Sequence, residues 1–250
     1  MAEKTTVRLN KFIASAGIAS RRGADELVQQ GKVTVNGTLA DSPGIQVDPD
    51  HDKVEVNGTL VKNDSSSGDV YIILHKPVEV VTTAKDPQGR KTVMDLLPPE
   101  LIRKRVFSVG RLDFYSEGLL LLTTDGELCN RMTHPSWHLP KVYRVTIRGS
   151  LSQNEISIMK AGMCLENGEL LAPVKISKAA EVGDTTTYEM VLIQGVNRQI
   201  RRMFGDFDKT ILRLQRVRQG RLELGGLKRG KWRELSKKEL AELKQDLKMK

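Results

Sequence analysis

The stretch VKNDSSSGDV, residues 61–70, constrains the fold more than any other feature of the chain. Asp, Ser and Gly crowd between two apolar runs, a composition that neither packs nor holds a helix or strand, so it reads as a linker. At 250 residues the chain is long enough for two cores, one on each side. On the N-terminal side, Leu9, Phe12, Ile13 and Ala16 recur at helical spacing, and Gly17 stops that helix. Ser20 is placed to cap a second helix, RRGADELVQQG, which Gly31 ends. KVTVNGTL then leads into Asn36-Gly37, and KVEVNGTL repeats the phrase at Asn57-Gly58; Asn-Gly between alternating residues is the strongest short hairpin signal. Two echoes are too few for a solenoid. They predict a small curved sheet on two short helices.

That order, with SRRGADELVQQGKVTVNG as its most specific phrase and basic residues at Arg8, Lys11, Arg21, Arg22 and Lys32, resembles the alpha-L RNA-binding domain of ribosomal small-subunit protein four. The resemblance implies that these five side chains meet the phosphates of folded RNA, which is read largely by shape. It covers residues 1–62, with the linker at 63–69.

Beyond the linker, strand-like runs (VYIILHKP, GLLLLTTDG, KVYRVTIRG, APVKISKA, TTTYEMVLIQG) alternate with helical pieces (GELCNRMTH, SQNEISIMKAG, NRQIRRMFGDF). The pattern predicts an α+β domain over residues 70–235, a mostly antiparallel or mixed sheet with peripheral helices. LSKKELAELKQDLKMK puts Leu235, Leu240, Leu243 and Leu247 near one face of a C-terminal basic helix, residues 236–250.

Charge placement narrows the partner. Arg198 to Lys250 carries 17 Lys and Arg against 7 Asp and Glu, more than the whole chain's net +9. A field polarised in this way favours a polyanion, of which nucleic acid is the commonest. No apolar run is long enough to cross a bilayer, and the N-terminus lacks a signal-peptide core, so the expectation is a cytoplasmic protein without a membrane partner. Cys129 and Cys164 form no CxxC. Cys129, His134 and His138 make a poor metal set because Pro135 breaks the helix that would align the histidines. No P-loop, GxSxG elbow or HExxH helix is present.

What remains is GRLDFYSEGLLLLTTDG, residues 110–126, where Asp113 stands before a buried strand in a basic chain. This phrase resembles the catalytic aspartate motif of RNA pseudouridine synthases, in the branch that modifies small- and large-subunit rRNA. LHKPVEVVTT (74–83) resembles that family's opening Lys-Pro motif, KVYRVTIRG (141–149) its tyrosine motif and GVNRQIRRMF (195–204) its arginine motif, in the family's order. The resemblance spans about Tyr71 to Trp232. It implies isomerisation of a uridine with no cofactor or metal, Asp113 acting as nucleophile or charge stabiliser beside the sugar. Tyr143 would stack on the extruded uracil and handle the C5 proton; without the resemblance it reads as a core strand aromatic. Arg201 would hold the aspartate. Lys76, Arg198 and Arg202 would contact RNA, and Arg111 either fills the gap left by the extruded base or forms a plain ion pair. Asp125 reads as a turn residue.

Two positions depart from the family pattern: Glu79 where it usually has glycine, and Ser116 where threonine is common. The Asn197-Arg198 pair resembles the large-subunit type, implying a uridine of 23S rRNA as substrate, with 16S rRNA as the alternative and a non-catalytic ribosome-assembly factor as the rival reading. The expected assembly state is a monomer.

Overall fold

The computed structural model describes residues 6–61, 68–137 and 139–249. Most of the expected linker, and His138, lie outside them. The chain divides into two compact units, with the boundary in sequence between Asp69 and Val70.

The first unit comprises β1 (Val7–Arg8), α1 (Leu9–Ser15), α2 (Arg21–Gln29), β2 (Val33–Val35), β3 (Thr38–Leu39), β4 (Gln46–Val47), β5 (Val54–Val56) and β6 (Thr59–Leu60). The Ser20 hydroxyl accepts the Gly23 N–H at 3.0 Å and caps α2. Asn36 and Gly37 have φ of 53° and 80°, and Asn57 and Gly58 52° and 73°, the paired left-handed residues that a two-residue hairpin turn requires. The repeated phrase thus becomes two hairpins joined back to back, sheet order β3-β2-β5-β6. Leu9, Ile13, Ala24, Val33, Val47 and Val54 are wholly buried between helices and sheet.

The second unit comprises β7 (Tyr71–Lys76), α3 (Pro99–Arg103), β8 (Phe107–Ser108), β9 (Glu117–Thr123), α4 (Gly126–Thr133), β10 (Lys141–Arg148), α5 (Gln153–Ala161), β11 (Lys175–Val182), β12 (Thr185–Leu192), α6 (Gln199–Gly205), β13 (Ile211–Gln219), β14 (Leu222–Glu223), β15 (Trp232–Glu234) and α7 (Lys237–Asp246). Its sheet runs β11-β12-β10-β13-β9-β7-β15, antiparallel except for the β9–β13 pair. Strands β7 and β9 are covered on both faces. Ile73, Leu119 and Leu121 pack towards α4 and α7, while Ile72, Leu74, Leu120 and Leu122 pack towards α3 and the loops before it. This double burial explains why both read as unbroken apolar runs rather than alternation. On β12 only alternate residues, Thr186, Tyr188, Met190 and Leu192, turn inward, under α5 and α6.

Three findings go beyond the sequence reading. Strand β13, at the centre of the sheet, was hidden by the charges of ILRLQRVRQ, because Gln215, Arg216 and Gln219 are polar yet buried. Helix α7 presents the expected leucine face but is packed into the second unit, with Leu243 and Leu247 wholly buried. Within Lys237–Asp246 three lysines stand against Glu239, Glu242 and Asp246. Asp125 caps α4, accepting the Glu127 and Leu128 N–H groups and the Tyr71 hydroxyl. Among the described residues no helix is long and apolar enough to cross a membrane.

Candidate active site

The loop between β8 and β9 carries Asp113, and the strand before it and the loops around it pin its backbone. The Thr82 hydroxyl, buried, donates to Leu112 O at 2.8 Å and accepts the Leu112 N–H. The Glu79 N–H donates to Phe114 O at 2.7 Å, and the Ser116 N–H to Asp113 O at 3.0 Å. Where β9 begins, Lys76 Nζ donates to Ser116 O and Pro77 O, each at 2.8 Å. A rigid two-sided core therefore positions a carboxylate that is itself one-third exposed.

Gly118 lets the central strands close up behind that loop. A Cβ there would lie 2.2 Å from Arg216 O, and its φ is 110°, so only glycine fits. Glu79 has φ 60°, in the left-handed region. The backbone has kept the geometry natural to glycine, and the exposed Glu side chain needs no space in the core.

Asp113, Tyr143 and Arg201 line one cavity of about 240 Å³. Arg201 approaches from α6; its Nη2 donates to Tyr115 O at 2.8 Å, which aims Nε at Asp113 Oδ2, 4.0 Å away. That Nε is buried and has no hydrogen-bond partner, so the pair is an ion pair short of contact. Burial lowers the Arg201 pKa from its ordinary value, Asp113 opposes this, and Arg198 adds to it. Tyr143 sits half-buried on β10 where two parts of the core meet. A carboxylate, a guanidinium facing it and an aromatic ring thus share one partly open space.

The other expected residues divide. Arg111 and Arg198 line the same cavity, and Arg111 makes no ion pair among the described residues. Lys76, expected to contact RNA, is instead wholly buried, its ammonium donating to the two carbonyls. Burial holds its pKa down to about 8, against the pull of Asp113 and Glu117. Arg202 turns away from the cavity, and its guanidinium binds Glu169 at 2.7 Å and Asn167 at 3.0 Å. In the first unit Arg8, Lys11, Arg21, Arg22 and Lys32 are all exposed.

Sequence reasoning passed over several polar groups that the fold buries here. Glu117 is buried behind the loop and ion-paired to Arg213 at 2.5 Å and Arg229 at 2.7 Å. Lys141, Gln199, Arg216 and Gln219 line the cavity. Lys141 stood within the tyrosine motif and Gln199 within the arginine motif; Arg216 and Gln219 lacked a local pattern, since only strand register brings them in.

Comparison with known proteins agrees with this architecture. The RNA pseudouridylate synthase family model matches residues 70–206, and the S4 domain model residues 7–52. An uncharacterized RNA pseudouridine synthase of Aquifex aeolicus is 44% identical over 95% of this chain and 93% of its own. The ribosomal large subunit pseudouridine synthase B of Bacillus subtilis is 37% identical over 95% of each chain. A dual-specificity RNA pseudouridine synthase of Escherichia coli is 38% identical over 97% of this chain and 80% of its own. A crystal structure of a pseudouridylate synthase superposes with a TM-score of 0.67 at 28% identity, covering 95% of this chain and 99% of that one. An S4 domain followed by a mixed-sheet domain matching over these lengths leaves one assignment: the chain belongs to the RNA pseudouridylate synthase family.

Proposed function

We propose that this protein isomerises a uridine of large-subunit (23S) rRNA to pseudouridine, as a cytoplasmic monomer acting without a cofactor. The observation that carries the reading is the meeting of Asp113, Arg201 and Tyr143 in one cavity. The N1–C1′ bond breaks, the base turns, a C5–C1′ bond forms, and the C5 proton is lost while N1 gains one, so no redox partner is needed. Asp113 acts beside the sugar as nucleophile or as stabiliser of its developing positive charge. Arg201 holds it, Tyr143 stacks on the uracil and handles the C5 proton, and Arg111 fills the place of the extruded base. Arg198 meets the phosphate backbone at the rim, and the S4 domain supplies Arg8, Lys11, Arg21, Arg22 and Lys32 to structured RNA.

The large-subunit assignment rests on Asn197-Arg198 and on the relative named for that subunit. Tritium release from C5-labelled rRNA transcripts tests the chemistry. The Asp113→Asn variant should bind RNA and release none; activity within tenfold of wild type, a barrier change of about 1.4 kcal/mol, refutes the role of Asp113. An inactive wild type that still binds rRNA would favour the assembly-factor reading. Carbodiimide mapping of both rRNAs from a deletion strain tests the substrate: loss of a signal from 16S rRNA alone overturns the subunit assignment.

A further inference from the structure

The floor of the cavity carries positive charge that the reaction described above does not use. Antiparallel pairing sets Tyr143 opposite Arg216, and Lys141 opposite Gln219, so all four side chains stand on one face of the sheet. Arg216 is 3% exposed. One end of its guanidinium is structural, Nε donating to Leu119 O at 2.8 Å, which ties β13 to β9. The other end is not: Nη2 is buried with no hydrogen-bond partner. Gln219, 2% exposed, likewise leaves Oε1 unpartnered. Lys141 has its pKa lowered by burial and then by Arg216, the mark of two cations close together.

Carboxylates do not balance them. Among the described residues lining the cavity, Asp113 is the one acid, against Arg111, Lys141, Arg198, Arg201 and Arg216, and Arg201 already faces it. Glu117 belongs to the other face of the sheet, where it is paired with Gln215 in register and held by Arg213 and Arg229. A buried guanidinium with an open donor is costly unless an anion completes it.

We propose that Arg216 and Lys141 form a subsite for a phosphate of the RNA strand next to the extruded uridine. Gln219 Oε1 takes a hydroxyl of the adjoining ribose. A neutral uracil would not answer the surplus charge, whereas a phosphodiester oxygen accepts from a guanidinium and an ammonium together. Cross-strand neighbours on one face stand about 5 Å apart, so a nucleotide whose base lies on Tyr143 brings its own phosphate to Arg216. The inference rests on the base-stacking role proposed for Tyr143.

The probes are uridine, uridine 5′-monophosphate and inorganic phosphate, titrated into the full-length protein and followed by phosphorus NMR or calorimetry. The monophosphate should bind at least tenfold more tightly than uridine, and Lys141→Met and Arg216→Met should each erase that advantage while leaving uridine binding unchanged. Lys141→Met keeps the test decisive if loss of the Arg216 bond to Leu119 unfolds the other variant. With rRNA, Lys141→Met should also lower the log–log salt slope by about 0.7, one phosphate fewer. Equal binding of monophosphate and uridine, or an advantage that both cations can lose without effect, overturns the subsite. Binding of inorganic phosphate without any gain for the nucleotide shows a free-anion site only and overturns it as well. An enzyme that isomerises rRNA yet fails these titrations refutes this inference alone, and an inactive chain that passes them refutes the isomerase reading alone.

Discussion

Replacing Lys76 by Met exposes the cost of holding a charge beneath the Asp113 loop. The ammonium is wholly buried, and its pKa falls from 10.5 to about 8. For a base whose pKa is lower folded than unfolded, the penalty is complete below the folded value and fades as pH rises towards the unfolded one. In that interval the unfolded chain binds more protons, so stability rises with pH. A shift of this size corresponds to roughly 3 kcal/mol below pH 8, of which about 2.5 is recovered by pH 10. Met removes the titration. It also removes the donors to Pro77 O and Ser116 O, but that loss is a constant offset. Other groups that titrate at high pH cancel in the difference between the two proteins. Trp137 and Trp232, the chain's two tryptophans, both lie in the second unit, so fluorescence-monitored urea unfolding reports on it directly. Wild type should gain about 2.5 kcal/mol on Lys76→Met between pH 7 and pH 10. Parallel stability curves over that range would refute the claim that burial lowers the pKa of this ammonium.

Other changes bear on the same region. Gly118→Ala must part β9 from β13, and with overpacking and a disfavoured φ it should cost at least about 3 kcal/mol in the same urea assay, a loss below 1 arguing against the close approach. Glu79→Gly should stabilise the second unit by about 0.5–1 kcal/mol by relieving a left-handed residue, and a destabilisation of that size would contradict the strain. Tyr143→Phe should bind rRNA normally but release tritium slowly, whereas Tyr143→Leu should lose binding too; full turnover in Phe leaves the residue a packing role alone. Arg21→Ala with Arg22→Ala should flatten the salt dependence of rRNA binding by about 0.7 per lost phosphate contact, and an unaltered slope places the S4 surface elsewhere.

Much of this protein was legible in one dimension because the signals are local. Asn-Gly turns demand left-handed backbone at two neighbouring residues, so both hairpins of the first unit follow from the letters. Ser20 is followed by a helix whose third N–H it must satisfy. Short continuous apolar runs read as buried strands, as β7 and β9 are. The family phrases singled out Asp113, Tyr143 and Arg201 one by one, but their meeting in a single cavity belongs to the tertiary structure. So does the burial of Lys76, which by residue type reads as a surface cation. Strand β13 was illegible because half-buried strands are recognised by apolar alternation, and here the inward positions hold Arg216 and Gln219. Whether such a side chain is solvated or enclosed depends on which strand lies opposite and which helix lies above, and no local window of sequence contains either.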